Sequence, residues 1–330
     1  MPKFTANRPH KQPKNFGFGG SLRFAGCNAL KTTMVRQYHS VAAHSDRWKL
    51  FCDWAKVQGI REARQINVSV LTSYADYLRS RIQGQGKPLA VSTAQNRLST
   101  CNCVLKALRG NGDISIKPAE ALQAKRGHIR TEAPQLSREK LEQTQKELCQ
   151  NGHPRVAALL GLCRELGLRS REAALLDCRK ALEQAQATGS IDVERGTKGG
   201  RGKSTPTSPS RVERLVPVSE AAMKALETAA ALQQSNDNLV PKEQRLPDFL
   251  SDVRHYSVNP LKSQGLNNRH DLRAAYACER YRMITGVNAP VVTGKQLCSK
   301  SSDRQAREVV ARELGHNRID VVASYIGLSR

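Results

Sequence analysis

The chain has 330 residues, 39% of them hydrophobic, and carries 53 Lys and Arg against 29 Asp and Glu, a formal charge of +24. That apolar share can fill two buried cores and excludes a disordered chain, while the cationic excess calls for a polyanionic partner, nucleic acid first. No apolar run approaches the ~18 residues of a spanning helix and no apolar leader stands at the N-terminus, so no membrane role is expected and the cytoplasm is the expected compartment. The nine cysteines include no Cys-x-x-Cys pair, which reads as reduced, mostly buried thiols and no zinc site.

Residues 1–40 carry Lys3, Arg8, Lys11, Lys14, Arg23, Lys31 and Arg36, no acid, and four Phe among Pro, Gly and Asn. This composition predicts a basic, flexible arm that orders on phosphate. From 41 to 124 apolar residues recur at three- and four-residue intervals in "DRWKLFCDWAKVQG", "VSVLTSYADYLRSRI" and "STAQNRLSTCNCVLKALRGNG", which predicts a small all-helical domain, its third helix starting at Ser92 or Thr93. Arg97 and Lys106 lie on its polar faces, and two readings stay open for them: solvated surface, or contact with backbone phosphate.

Residues 125–134 are polar and read as a linker, after which Ser137 can cap a helix and open a second domain over 135–330. In that domain "SIDVERG" and "RVERLVPVS" alternate as two short strands, separated by the Gly- and Pro-rich "TKGGRGKSTPTSPS". The expected class is mainly α with a small β-sheet, a helical domain joined to a mixed α/β domain.

Three junctions in the second domain place chemistry-bearing side chains. In "ELGLRSREAALL", Gly167 can end one helix and Ser170 cap the next, which aims Arg169 from between two helix ends. In "RHDLRAAYA", His270 and Arg273 stand three apart on one helix face, where both would meet the same anion. In "ELGHNRIDVVASYIG", His316 and Tyr325 would face apart on one continuous helix, but Gly315 can break it and Asp320 can cap a new one, folding the two side chains toward a common point.

These motifs, in this order and with this last spacing, resemble those of the tyrosine recombinases of phage-integrase type, over the whole second domain, with the helical domain similar to the family's core-binding domain. The resemblance implies a site-specific recombinase for integration or excision of a mobile element, cleaving and rejoining DNA through a 3′-phosphotyrosine with neither metal nor nucleotide cofactor. It carries Arg169, His270, Arg273 and His316 over as the phosphate-activating residues and Tyr325 as the nucleophile. The family's lysine between two strands corresponds to Lys198, with Lys203 as its competitor; Lys203 and Arg211 are candidate DNA contacts beside Arg97 and Lys106. Implied partners are double-stranded DNA attachment sites, further copies of the chain up to a tetramer on synapsed DNA, and an accessory DNA-bending protein. The alternative is a DNA-binding protein that keeps the fold without the activity.

Overall fold

The computed structural model describes residues 13–197, 212–233, 236–266 and 268–329. The chain divides into two compact units, 1–127 and 128–330. Among the described residues no helix is long and apolar enough to cross a membrane, and no cluster of three or more His, Cys, Asp or Glu is arranged to hold a metal.

Unit 1 consists of α1 (Leu22–Thr33), α2 (Tyr38–Val57), α3 (Val68–Ile82), α4 (Val91–Arg109) and the single turn α5 (Pro118–Ala121). Its core is built on Trp48, which stacks on Phe51 at 4.9 Å, with Tyr74 edge-on to Phe51 at 5.0 Å. The unit begins earlier than the composition suggests. Residues expected in a free arm form α1, whose Leu22, Ala25, Ala29 and Leu30 are buried. Before it, buried Asn15 donates to Gly19 O (2.8 Å) and accepts from Ala63 N (2.7 Å). The physical reason is steric as well as apolar: Gly26 lets the Trp48 indole lie directly on α1, where a Cβ would come within 2.1 Å of Nε1, and that Nε1 donates to Leu22 O at 3.2 Å. Residues 1–12 lie outside the described residues.

Unit 2 opens with α6 (Arg138–Gln150), whose Ser137 hydroxyl accepts from Lys140 N as the sequence predicts. There follow α7 (Pro154–Glu165), α8 (Ser170–Leu175), α9 (Cys178–Thr188), β1 (Ser190–Asp192), β2 (Leu215–Pro217), α10 (Glu220–Gln233), α11 (Leu246–Ser263), α12 (Arg269–Thr285), α13 (Pro290–Thr293), α14 (Lys300–Glu313) and α15 (Ala323–Ile326). Every residue of α7 from Val156 to Arg164 is buried, and α6, α10, α11 and α12 pack around it. A helix apolar on all sides belongs at the centre of its domain. The two strands pair antiparallel with Ile191 opposite Val216, both buried. Lys198, Lys203 and Arg211, on the connection between the strands, lie outside the described residues.

Candidate active site

Four chain junctions of unit 2 converge. The first follows α7, where Gly167 takes a left-handed φ of +60°. A Cβ there would lie 2.5 Å from Cδ1 of Tyr276, so only glycine admits both the turn and the close approach of α12. Arg169 then caps α8. Ser170, the cap expected from sequence, is instead the first helical residue, because the Glu172 carboxylate supplies the acceptor: its Oε2 takes the Arg169 N–H at 2.8 Å and its Oε1 takes Arg169 Nη1 at 2.6 Å.

The second is the start of α12, capped by Asn268 Oδ1 through His270 N at 2.8 Å. Three residues on, Arg273 is 1% exposed and donates through Nη1 to Gly167 O and through Nη2 to Leu314 O. It therefore ties together the chain ends leaving α7 and α14 while its Nε reaches the Tyr325 hydroxyl at 3.2 Å. The third is the end of α14, where Gly315 at φ +70° turns the chain and His316 N closes the turn on Ala311 O at 2.8 Å. The fourth is a 3-10 turn, Asp320–Val322, running straight into the four-residue α15 that carries Tyr325. Asp320 does not cap it by side chain, as sequence suggests; its carboxylate lies 3.6 Å from Arg318.

The result is a closed set of contacts. His316 Nε2 lies 3.3 Å from the Tyr325 hydroxyl, 3.4 Å from Arg169 Nη2 and 3.5 Å from Arg273 Nη2. Arg169, Arg273, His316 and Tyr325 are thus brought together. His270 is exposed, and its ring makes no hydrogen bond among the described residues, though the cluster's charge acts on it. Arg97 and Lys106 both lie on α4 of unit 1, the first half-buried and the second exposed.

Glu172 and Arg214 are the parts that sequence reasoning missed. Glu172 is fully buried and meets three guanidiniums: Arg169 at 2.6 Å, Arg214 at 2.9 Å and Arg273 at 3.6 Å. Burial pushes its carboxyl up, but Arg214, Arg169 and Arg273 outweigh that and hold it below the ordinary value, so it stays an anion. Arg214 is also fully buried, donates Nε to Glu313 O at 2.9 Å, and sits so close to Gly315 that a Cβ there would lie 2.9 Å from its Cδ. Beneath it the Glu313 carboxylate takes Tyr276 OH at 2.8 Å and Arg280 Nη2 at 2.7 Å. The signal for Arg214 was present in "ERLVP": strand alternation puts it on the inward face with Val216.

The electrostatics favour an anion. Burial, then Arg273, Arg169 and Arg214, pull the His316 imidazole down to about 4, and burial with Arg273, Arg269 and Arg169 lowers His270. Both histidines are neutral at pH 7, so three guanidiniums face one carboxylate and two positive charges remain uncompensated. Burial lowers Arg273 to about 10, which leaves it a cation near neutrality. A neutral imidazole beside a phenol can take its proton, and the guanidiniums can hold oxygens that become more negative in a transition state.

A mostly helical chain with one small antiparallel hairpin is the fold shared with solved DNA-bound integrases. The structure is similar to lambda integrase in a dimer bound to a COC′ core site (14% identical, covering 94% of this chain and 78% of that chain, TM-score 0.56). It is similar also to Tn1549 transposon integrase in complex with a circular intermediate DNA (13% identical, 92% and 96% covered, TM-score 0.58). A lambda integrase tetramer bound to a Holliday junction matches with 14% identity, 91% and 74% coverage and a TM-score of 0.52. None of the curated proteins compared matches the chain. Residues 127–279 match the family model described as Integrase.

Proposed function

We propose that this protein is a site-specific recombinase that breaks and rejoins DNA through a 3′-phosphotyrosine, serving integration or excision of a mobile element. The observation that carries the reading is the meeting of Arg273 Nε and His316 Nε2 on one phenolic oxygen, at 3.2 and 3.3 Å. No core-packing requirement brings a guanidinium and an imidazole to one half-buried hydroxyl.

In the proposed step, Tyr325 Oη attacks a phosphodiester phosphorus in line as His316 accepts its proton. The new bond joins Oη to phosphorus, the bond to the 5′-oxygen breaks, and that oxygen leaves as a hydroxyl after protonation. Lys198 is the preferred proton donor, with Lys203 the alternative. Arg169 and Arg273 hold the nonbridging oxygens, and neutral His270 at the mouth hydrogen-bonds the same phosphate. Because Tyr325 lies in the same chain as its activating residues, each copy assembles its own site. A 5′-hydroxyl from a partner strand reverses the attack and exchanges strands.

Unit 1 is proposed as the core-binding half, with Arg97 and Lys106 contacting phosphate, and Lys203 and Arg211 adding contacts from unit 2. The DNA-bound dimers and tetramers among the similar structures support self-association on DNA, and family resemblance adds an accessory DNA-bending protein. The test is covalent trapping on nicked duplexes taken from DNA flanking the protein's own gene. Wild type is expected to give a denaturation-resistant adduct and Tyr325→Phe none. Specific binding without adduct from wild type would replace this reading by that of an inactive DNA-binding protein.

A further inference from the structure

The segment entering unit 2 runs against the helix that carries the phenol. We propose that Arg130 is a positioning residue for Tyr325: it fastens the start of α15 to α12 and so sets the hydroxyl against Arg273 and His316. The inference rests on the recombinase reading and deepens it.

A helix of four residues does not hold itself together, so the position of α15 is decided by its attachments. Its core attachments are Ile326 and, at its N-cap, Val322, both fully buried. Its far end is held by Arg307, which donates Nη1 to Gly327 O at 3.0 Å and is itself fixed by Asp303 at 2.8 Å. Its near end is held by Arg130, whose backbone N–H donates to Ala323 O at 3.0 Å.

The Arg130 side chain turns inward. Nη2 donates to Asp271 Oδ1 at 2.7 Å and Nε to Glu132 O at 2.7 Å, with the Arg130 side chain 17% exposed and that of Asp271 5%. Asp271 lies on α12 between His270 and Arg273. One residue therefore grips α15 by its backbone and α12 by its guanidinium, which fixes the distance between the helix of the nucleophile and the helix of the arginine that meets it. An ion pair so little exposed is weakly screened, and breaking it leaves the Asp271 charge without this partner, so the clamp resists opening.

The test runs two chemistries at the same phosphate, using the full chain and nicked duplex from DNA flanking its gene. In one, Tyr325 supplies the nucleophile; in the other, added hydrogen peroxide supplies it in a Tyr325→Phe background. Hydroperoxide expels the same 5′-oxygen, so it reads the phosphate-activating residues without the phenol. Displacement of a nucleophile by about 1 Å costs on the order of 100-fold, so Arg130→Met is expected to slow adduct formation about 10- to 100-fold and leave peroxide cleavage within about twofold. Arg130→Lys, which keeps a cation beside Asp271, is expected to restore part of the adduct rate, and Asp271→Asn to reproduce the split should Arg130→Met fold poorly. Equal losses in both chemistries would overturn the proposal, since Arg130 would then support the site as a whole; so would loss in neither. Absence of adduct from wild type would overturn the recombinase reading, whereas adduct formed at the same rate by wild type and Arg130→Met overturns this inference alone.

Discussion

Substituting Glu172 by Gln keeps the shape of the side chain and one acceptor but removes the single anion among three guanidiniums, at 2.6, 2.9 and 3.6 Å. Breaking a fully buried pair typically costs about 3–5 kcal/mol, and the retained amide oxygen argues for the lower end. For a unit of this size, about 3 kcal/mol corresponds to a fall in Tm of about 6–12 °C. The effect has a definite pH signature. The carboxyl of Glu172 is lowered in the folded protein from its ordinary 4.5, so its contribution is complete above that value and is lost as pH falls through the folded value below it. The Tm gap between wild type and Glu172→Gln should be full at neutral pH and close progressively on acidification below the ordinary value. Adduct formation should also drop, by about 100-fold, because Arg169 loses the carboxylate that aims it. Scanning calorimetry across this pH range provides the assay; a Tm loss under about 2 °C, or a gap that does not narrow with acid, would refute the hub assigned to Glu172.

Three further outcomes are expected. His316, lowered to about 4, is neutral through the range where a free imidazole titrates, so the acid limb of the cleavage rate should lie well below 6.5; a limb centred at 6.5, measured by initial adduct rates against pH, would contradict its placement. The sign for stability is the same: the folded state resists protonating His316, so stability falls as pH drops from 6.5 toward 4. Gly26→Ala should destabilise unit 1 by about 1–3 kcal/mol despite alanine's helix propensity, because its Cβ would meet the Trp48 indole at 2.1 Å. Unchanged or raised stability in urea unfolding followed by Trp fluorescence would show that the segment before residue 40 is not part of that core.

The site was legible at its turns. Gly167, Gly315 and the nine-residue interval from His316 to Tyr325 announce chain reversals, and reversals are what bring distant side chains together. The short strands also stand where the alternation puts them. The hub was less legible, since Glu172 reads first as a favourable acid in a helix's opening turn, and nothing local says that it meets Arg214 and Arg273 across the fold. Arg214 shows the cost of counting only exposed cations in a basic chain: its inward strand position was the informative feature. The N-terminal segment misled for the opposite reason, because seven cations without an acid outweighed the helical spacing of Leu22, Ala25, Ala29 and Leu30, whose burial depends on the contact of Gly26 with Trp48. The choice between Lys198 and Lys203 falls outside the described residues.

Mapping the trapped adduct reads directly whether Tyr325 is the group that becomes joined to DNA. Trypsin releases Tyr325 in the segment 319–330, where it is the sole tyrosine. Nuclease digestion followed by fragmentation mass spectrometry is expected to find the residual nucleotide phosphate on Tyr325 of that peptide. A nucleotide on any other residue would contradict the role proposed for Tyr325 and move the nucleophile elsewhere.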